Sequence, residues 1–513
     1  MFIQVDSDCD GYTSAATLIN YLNRIFPSFA QNNIVYRLHE GKAHGLILET
    51  IPKDVKLVIA PDSSSNDYEV HEQLAQMGID VLVIDHHEAD HISEHACVIN
   101  NQLCDYPTKS LSGVGMVYKF CSYIDIMLNA NYADEYLDLV ALGLIADMMD
   151  LRDFETRHLI SLGIDQIRNP YFKGMTIKNA FSLGEKITPF GVAFYIAPYI
   201  NAVTRCGTQE EKLVLFEAML DHKAYEMIPS TKRGCKGQTE TRVEQACRNC
   251  TNIKNRQGKS RDTSLELIER MIKEQNLLDN KLIIVKLSAK HSIDRNLTGL
   301  VATKIANEYQ RPTLILNESR TEDGKLIWEG SGRNYNQSDF NNFRMFLEDS
   351  WYVEYAEGHE SAFGVGILDE ELPKLIRYSN TILANYDFTP KYFIDFEYDM
   401  ISLTGDDILN LADCDWLWGQ CIEEPYVLVK NIKLTADNLS LLKGTTIKIG
   451  LNDGINMIKF KSNQEEFDKL YSEMGCVTIN VIGRFQKNVW CGKENPQILI
   501  EDYEIVDKVN YYF

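Results

Sequence analysis

Asp6, Asp8 and Asp10 alternate with Ser7 and Cys9 in a turn that can belong to few kinds of fold. The run 1–5 before it is apolar and strand-like, and Leu18, Ile19, Leu22 and Ile25 after it repeat with helical spacing. A strand passing through an acidic turn into a helix is the opening unit of an open α/β sheet, which binds ligands at the carboxyl ends of its strands. Three carboxylates this close push each other's pKa up unless protons or a cation offset them. A hard divalent ion such as Mg2+ or Mn2+, which prefers carboxylate oxygen, meets that need. The alternative is a solvated acidic turn with Asp10 or Thr13 capping the helix.

Short apolar or β-branched runs follow at 34–38, 55–60, 79–84 and 97–99, separated mostly by helical or polar segments, the βαβ rhythm of a parallel sheet. The run 55–60 leads into Pro61-Asp62-Ser63-Ser64-Ser65-Asn66-Asp67, and 81–84 into Asp85-His86-His87. Three strands are thus expected to bring acids and imidazoles to one sheet edge. Asp147 lies in the apolar run 139–149, where an unpartnered carboxylate is costly. Pairing with Arg152 would satisfy it, and so would a metal ion shared with the other acids.

A chain of 513 residues is too long for one ordinary core and points to about three domains. Its 45% hydrophobic and 24% charged content is that of a soluble globular protein, and no apolar run approaches the roughly 20 residues of a membrane span. The N-terminus enters a strand with no basic or cleavage signal, so twelve cysteines read as reduced thiols in a cytosol. The net charge of −23 argues against nonspecific nucleic-acid binding over the whole surface. Against it stands a basic island at 230–262 with Lys232, Arg233, Lys236, Arg242, Arg248, Lys254, Arg256, Lys259 and Arg261, either a nucleic-acid footprint or a solvated helix face. Cys247 and Cys250, with Cys235 nearby, lack the second pair that a tetrahedral zinc site needs.

Asp-x-Asp-x-Asp-Gly, the strand ending at Asp62, Asp85-His86-His87 and Ala146-Asp147, in this order, resemble the motifs of the DHH phosphoesterase superfamily. Asn201-Ala202-Val203-Thr204-Arg205 is similar to the Asn-Ala-x-x-Arg segment of RecJ-type exonucleases. Asn296-Leu297-Thr298-Gly299, Gln310-Arg311-Pro312-Thr313, Gly330-Ser331-Gly332-Arg333 and Gly358-His359-Glu360-Ser361 resemble the associated DHHA1 domain. From 391 onward short strands and the Asn452-Asp453-Gly454 turn signal suggest a small β-barrel, and RecJ-type enzymes carry an OB domain there. Trp490, in a segment similar to the closing hairpin of that barrel, either stacks a base or packs a barrel edge. The expected organisation is an α/β protein with a parallel-sheet DHH domain (1–225), a long basic helical connector (226–280), a smaller α/β DHHA1 domain (281–388) and an OB-like β-barrel (389–513).

The resemblance implies two divalent ions, Mn2+ or Mg2+, one held by Asp6, Asp8 and Asp62 and the other by Asp10, Asp62, His86 and Asp147. Asp85 would stand behind His86 and fix its tautomer, and His87 would face the substrate. Arg333, His359 and Ser331, with Arg205 beside them, would grip phosphate, Gly332 and Gly358 would let backbone amides approach it, and Asn201 and Arg256 would complete the contacts. The implied activity is metal-dependent release of mononucleotides from single-stranded DNA, 5′ to 3′. Alternatives are a phosphodiesterase for short oligonucleotides or cyclic dinucleotides, and a noncatalytic DNA-binding replication scaffold. The expected protein is a cytosolic monomer with no membrane partner, encoded by a bacterium, a phage or a prophage. Candidate partners are a single-strand-binding protein and other replication proteins. The pattern departs from the family in three places: the chain starts on the first catalytic strand, Glu357 stands where a first glycine is usual, and Thr204 replaces a small residue.

Overall fold

The computed structural model describes residues 1–40, 43–184, 186–451, 454–490 and 493–510. The Asn452-Asp453 turn signal, the Trp490 side chain, Cys491 and Gly492 lie outside the described residues. The chain divides into two compact units, one of residues 1–198, 216–243 and 393–513, the other of 199–215 and 244–392.

The first unit opens with strands β1 (Phe2–Val5), β2 (Val35–Leu38), β3 (Leu57–Pro61), β4 (Asp80–Asp85) and β5 (Cys97–Asn100). They form a parallel sheet in the order β2-β1-β3-β4-β5. The chain leaves β1 to one side for β2 and returns on the other for β3, so the topology switches between β1 and β3, where open sheets hold ligands. Asp6 directly follows β1 and Asp62 directly follows β3. Ile3, Val5, Val58, Ile59, Val83 and Ile84 are all buried, as strands covered on both faces require. Helix Cys9–Ile25 packs against helices Gly113–Leu128 and Leu137–Ala146. The latter buries every residue from Asp138 to Ile145, which fixes the position of Asp147 at its C-terminal end. Strands β6 (Met227–Pro229) and β7 (Thr239–Thr241) form a hairpin within the basic island.

In the second unit the island continues into helix Arg242–Glu274, 33 residues and hence about 50 Å long, the helical connector expected. A five-stranded sheet follows, made of β8 (Ile283–Leu287), β9 (Thr313–Arg320), β10 (Leu326–Arg333), β11 (Tyr355–His359) and β12 (Ala362–Leu368) in the order β11-β12-β10-β9-β8. Only β8 and β9 pair in parallel, because helix Arg295–Tyr309 supplies the crossover between them.

The C-terminal segment of the first unit contains β13 (Phe396–Asp399), β14 (Val427–Leu434), β15 (Leu439–Leu442), β16 (Thr446–Gly450), β17 (Asn456–Phe460), β18 (Gly475–Trp490) and β19 (Lys493–Asn510). They pair in the order β13-β14-β18-β19-β17-β16-β15. Val427 near one end of that order and Leu439 at the other share one core with Ile449, Val481 and Ile498, so the sheet curls round a common interior. β18 and β19 run well beyond the expected strands, with register shifts at Thr478/Ile479 and Ile482/Gly483 that let so long a ribbon bend. This segment is tied to the sheet domain by Leu151, whose N–H donates to the Gln420 carbonyl at 3.1 Å. Among the described residues no helix is long and apolar enough to cross a membrane.

Candidate metal centre

Asp8 caps its own helix, accepting from Gly11 N–H at 2.9 Å. Asp10, in the first turn of the same helix, instead caps a second one: it accepts from Gly113 N–H at 2.6 Å, Val114 N–H at 3.2 Å and Ser112 Oγ–H at 2.9 Å. The free amides at the start of helix Gly113–Leu128 thus point a positive dipole end at Asp10. Glycines make room for these acids. The Cβ that Gly11 lacks would lie 2.6 Å from Asp6 Cβ, that of Gly113 2.2 Å from Asp62 Oδ1, and that of Gly143 2.4 Å from Asp10 Oδ1.

His86 Nε2 lies 3.3 Å from Asp62 Oδ1, 3.4 Å from Asp147 Oδ2 and 3.9 Å from Asp10 Oδ2. Three sets of donor atoms lie within 4.8 Å of one another: Asp6, Asp8 and Asp62; Asp10, His86 and Asp147; and Asp62, Asp85, His86 and His87. The third set joins the first through Asp62 and the second through His86, so the donors form one continuous cluster. Asp6 Oδ1 and Asp62 Oδ1 are buried without a hydrogen-bond partner among the described residues. Carboxylate oxygens with a neutral imidazole suit hard to intermediate divalent ions, and the orphaned oxygens are what such an ion would satisfy.

Electrostatics agree. Burial, reinforced by neighbouring aspartates, raises the carboxyls of Asp8 and Asp10, lifts Asp62 well above the ordinary range and pushes Asp147 up to about 8. Burial lowers His86, so its ring is neutral near neutral pH. The hydrogen bond from His87 Nδ1 to Asp85 Oδ1, 2.7 Å long, raises His87 to about 9. Burial opposes ionisation of Asp85, but His87 and the N–H groups of Ser65 and His86 hold its carboxyl well below the usual range.

This differs from the expectation that Asp85 fixes the His86 ring. The Asp85 carboxylate takes the His87 ring instead, and the His86 and His87 rings lie side by side with centroids 4.4 Å apart. From His86 it is the backbone N–H that donates to Asp85, at 2.7 Å. Two residues had no part in the expected site. His44 Nδ1 sits 2.8 Å from Asp6 Oδ2, and the buried His39 places Nε2 3.7 Å from Asp6 Oδ1. Both follow β2, which the strand order sets beside β1.

In the second unit, Arg333 ends β10 with its guanidinium over Gly299, whose missing Cβ would lie 2.4 Å from it, and it donates to the Gly332 carbonyl at 2.6 Å. Burial and the neighbouring charge of Arg205 lower its pKa. Ser331 Oγ meets Thr298 Oγ1 at 2.8 Å, Gly358 has a φ of 131°, and His359 is exposed at the end of β11. Asn201 Oδ1 is buried without a hydrogen-bond partner among the described residues. Arg256 is exposed, donating to the Cys206 carbonyl at 3.3 Å and lying 3.9 Å from Glu211. Within the basic island, Lys232 pairs with Glu240, Arg242 with Glu217 and Arg261 with Asp262, while Arg233, Lys236 and Lys259 are exposed.

A parallel sheet with this acid and imidazole constellation at its switch point defines a protein of the DHH type, and the model described as DHH family, N-terminal domain, matches residues 1–144. The SPbeta prophage-derived YorK of Bacillus subtilis is 38% identical over 515 residues, covering 99% of this chain and 87% of YorK. RecJ of the same bacterium, the single-stranded-DNA-specific exonuclease, is 26% identical over 521 residues, covering 98% of this chain and 61% of RecJ. The crystal structure of RecJ from Thermus thermophilus in complex with Mn2+ matches with a TM-score of 0.71 at 19% identity, over 98% of this chain and 68% of that one, which establishes the shared fold. The chain belongs to the RecJ-type family of DHH/DHHA1 proteins.

Proposed function

We propose that this chain is a metal-dependent exonuclease that hydrolyses phosphodiester bonds of single-stranded DNA from the 5′ end and releases mononucleotides. The observation that carries the reading is the overlap of donor sets through Asp62 and His86. The names of the relatives support it: YorK and RecJ are both named as single-strand-DNA-specific exonucleases. Two Mn2+ or Mg2+ ions, when bound, would offset charge on the attacking and leaving oxygens.

The residues divide the remaining work. Asp6, Asp8 and Asp62 would hold one ion, and Asp10, Asp62, His86 and Asp147 the other. Neutral His86 offers nitrogen without adding charge. His87, protonated up to about pH 9, holds a proton that it can give to the leaving oxygen, and Asp85 keeps it there. Arg333, Arg205, Ser331, His359, Asn201 and the amides at Gly332 and Gly358 would bind backbone phosphate. Arg256 and the exposed cations of the basic island would follow the strand. We further propose that the protein acts as a monomer in the cytosol and that a single-strand-binding protein presents the strand.

A time course on end-labelled single strands tests this. With Mn2+ the wild type should release mononucleotides from the 5′ end of a long oligomer, leave a duplex intact and act weakly on a dinucleotide. Asp62→Ala should lose at least about three orders of magnitude while remaining folded. Equal activity of the variant, or a preference for the dinucleotide, would contradict the assignment.

A further inference from the structure

His39 follows the last residue of β2 and is 4% exposed. Its Nε2 faces Asp6 Oδ1 at 3.7 Å, and both atoms are buried without a hydrogen-bond partner among the described residues. The other ring nitrogen is spoken for. The ring is also hydrogen-bonded to the Gly45 backbone. Since Nε2 is unpartnered, that bond falls to Nδ1, and a backbone carbonyl there leaves the lone pair of the neutral ring on Nε2.

A lone pair aimed at a buried carboxylate oxygen is unfavourable, and 3.7 Å is too long for a hydrogen bond to relieve it. Two donors that share one cation at about 2.1 Å each stand roughly 3 to 4 Å apart. A backbone carbonyl on the opposite nitrogen is also what orients metal-binding imidazoles. Asp6 is itself braced, since His44 Nδ1 occupies its Oδ2 at 2.8 Å and leaves Oδ1 turned toward His39.

We propose that His39 is an imidazole ligand of the divalent ion held by Asp6, giving that ion a nitrogen donor beside its carboxylates. The proposal rests on the reading of the aspartate cluster as a metal centre. With His86 serving the other ion, each would then have one nitrogen, which favours Mn2+ over the oxygen-preferring Mg2+.

The test combines Mn2+ calorimetry with pulsed electron paramagnetic resonance of the Mn2+-loaded full chain, which detects nitrogen bound to manganese. His39→Asn should weaken one of two Mn2+ sites tenfold or more and leave the other unchanged, with His39→Gln as a second variant should the first fold poorly. In His86→Asn the spectrum should keep a nitrogen coupling, and His39→Asn added to it should remove that coupling. Two unchanged affinities in both His39 variants, or no nitrogen coupling in His86→Asn, would overturn the assignment of His39 while the metal centre itself stands. A wild type that takes up no Mn2+ would overturn both.

Discussion

At the residue scale the centre is a set of carboxyl groups that cannot all ionise together without help. Asp62 shows this most sharply: it is buried, its φ is 68°, and its Oδ1 has no hydrogen-bond partner among the described residues. Such a conformation costs a non-glycine residue on the order of 1–3 kcal/mol and persists where the surroundings over-determine it. The proton balance has a stability consequence. Asp147 rises from 3.8 to about 8 on folding, so its contribution is fully present below pH 3.8 and is lost as the pH climbs through 8. His87 rises from 6.5 to about 9, so its contribution is full below 6.5 and lost through 9. Both act in one direction, and above pH 7, where the buried imidazoles of lowered pKa such as His86 are already neutral in both states, the metal-free protein should melt at progressively lower temperature up to pH 9. Mn2+ at a hundred times its Kd should restore about 2.7 kcal/mol near pH 8 and much less near pH 5, where protons compete. Thermal melts across pH with and without Mn2+ check this, and a metal-free protein that grows more stable toward pH 9 would contradict it.

At the scale of elements, the site is made by strand ends and by two helices that approach closely enough to seat the acids. Gly113 opens helix Gly113–Leu128 directly against Asp62, and Gly143 lies in helix Leu137–Ala146 against Asp10. Alanine in mid-helix ordinarily stabilises by up to about 1 kcal/mol relative to glycine. Here Gly143→Ala should destabilise instead, and Gly113→Ala should displace Asp62 and weaken Mn2+ binding at least tenfold, as calorimetry would show. Unchanged Mn2+ affinity in Gly113→Ala would mean that Asp62 does not need its present place. The strand-end acids are legible in the sequence because each follows an apolar run, so Asp6, Asp62 and His86 announce themselves locally. His39 and His44 are not, since Val35-Tyr36-Arg37-Leu38 is a weakly patterned strand and its place beside β1 is a fact of topology. The hold of Ser112 and Gly113 on Asp10 depends on packing between helices distant in sequence. Adjacency in sequence points Asp85 at the wrong imidazole, since its carboxylate bonds the ring of His87 and only the backbone N–H of His86.

For the whole molecule, a net charge of −23 and affinity for a polyanion are reconciled by concentrating cations. The basic island stands out in the sequence, but only the structure shows how much of it is taken up: Lys232, Arg242 and Arg261 already face carboxylates. Arg233, Lys236 and Lys259 are exposed and are the candidates for phosphate contact. Replacing these three with alanine should weaken single-strand binding alike for all sequences and flatten the slope of log K against log salt by about two units, at about 0.7 per contact. An unaltered slope would make the island a solvated surface. The order of sheet, long helix, second sheet and curled C-terminal sheet follows from periodicity and resemblance, whereas the length of β18 and β19 does not, because residues 486–489 of β18 and 501–509 of β19 bury little.

The most direct measurement is anomalous diffraction from crystals soaked in Mn2+. Two peaks are expected about 3.5 to 4 Å apart, with Asp62 between them, one beside Asp6 and Asp8 and the other beside Asp10, His86 and Asp147. No peak at these side chains, or ions bound elsewhere with the aspartates apart, would contradict it.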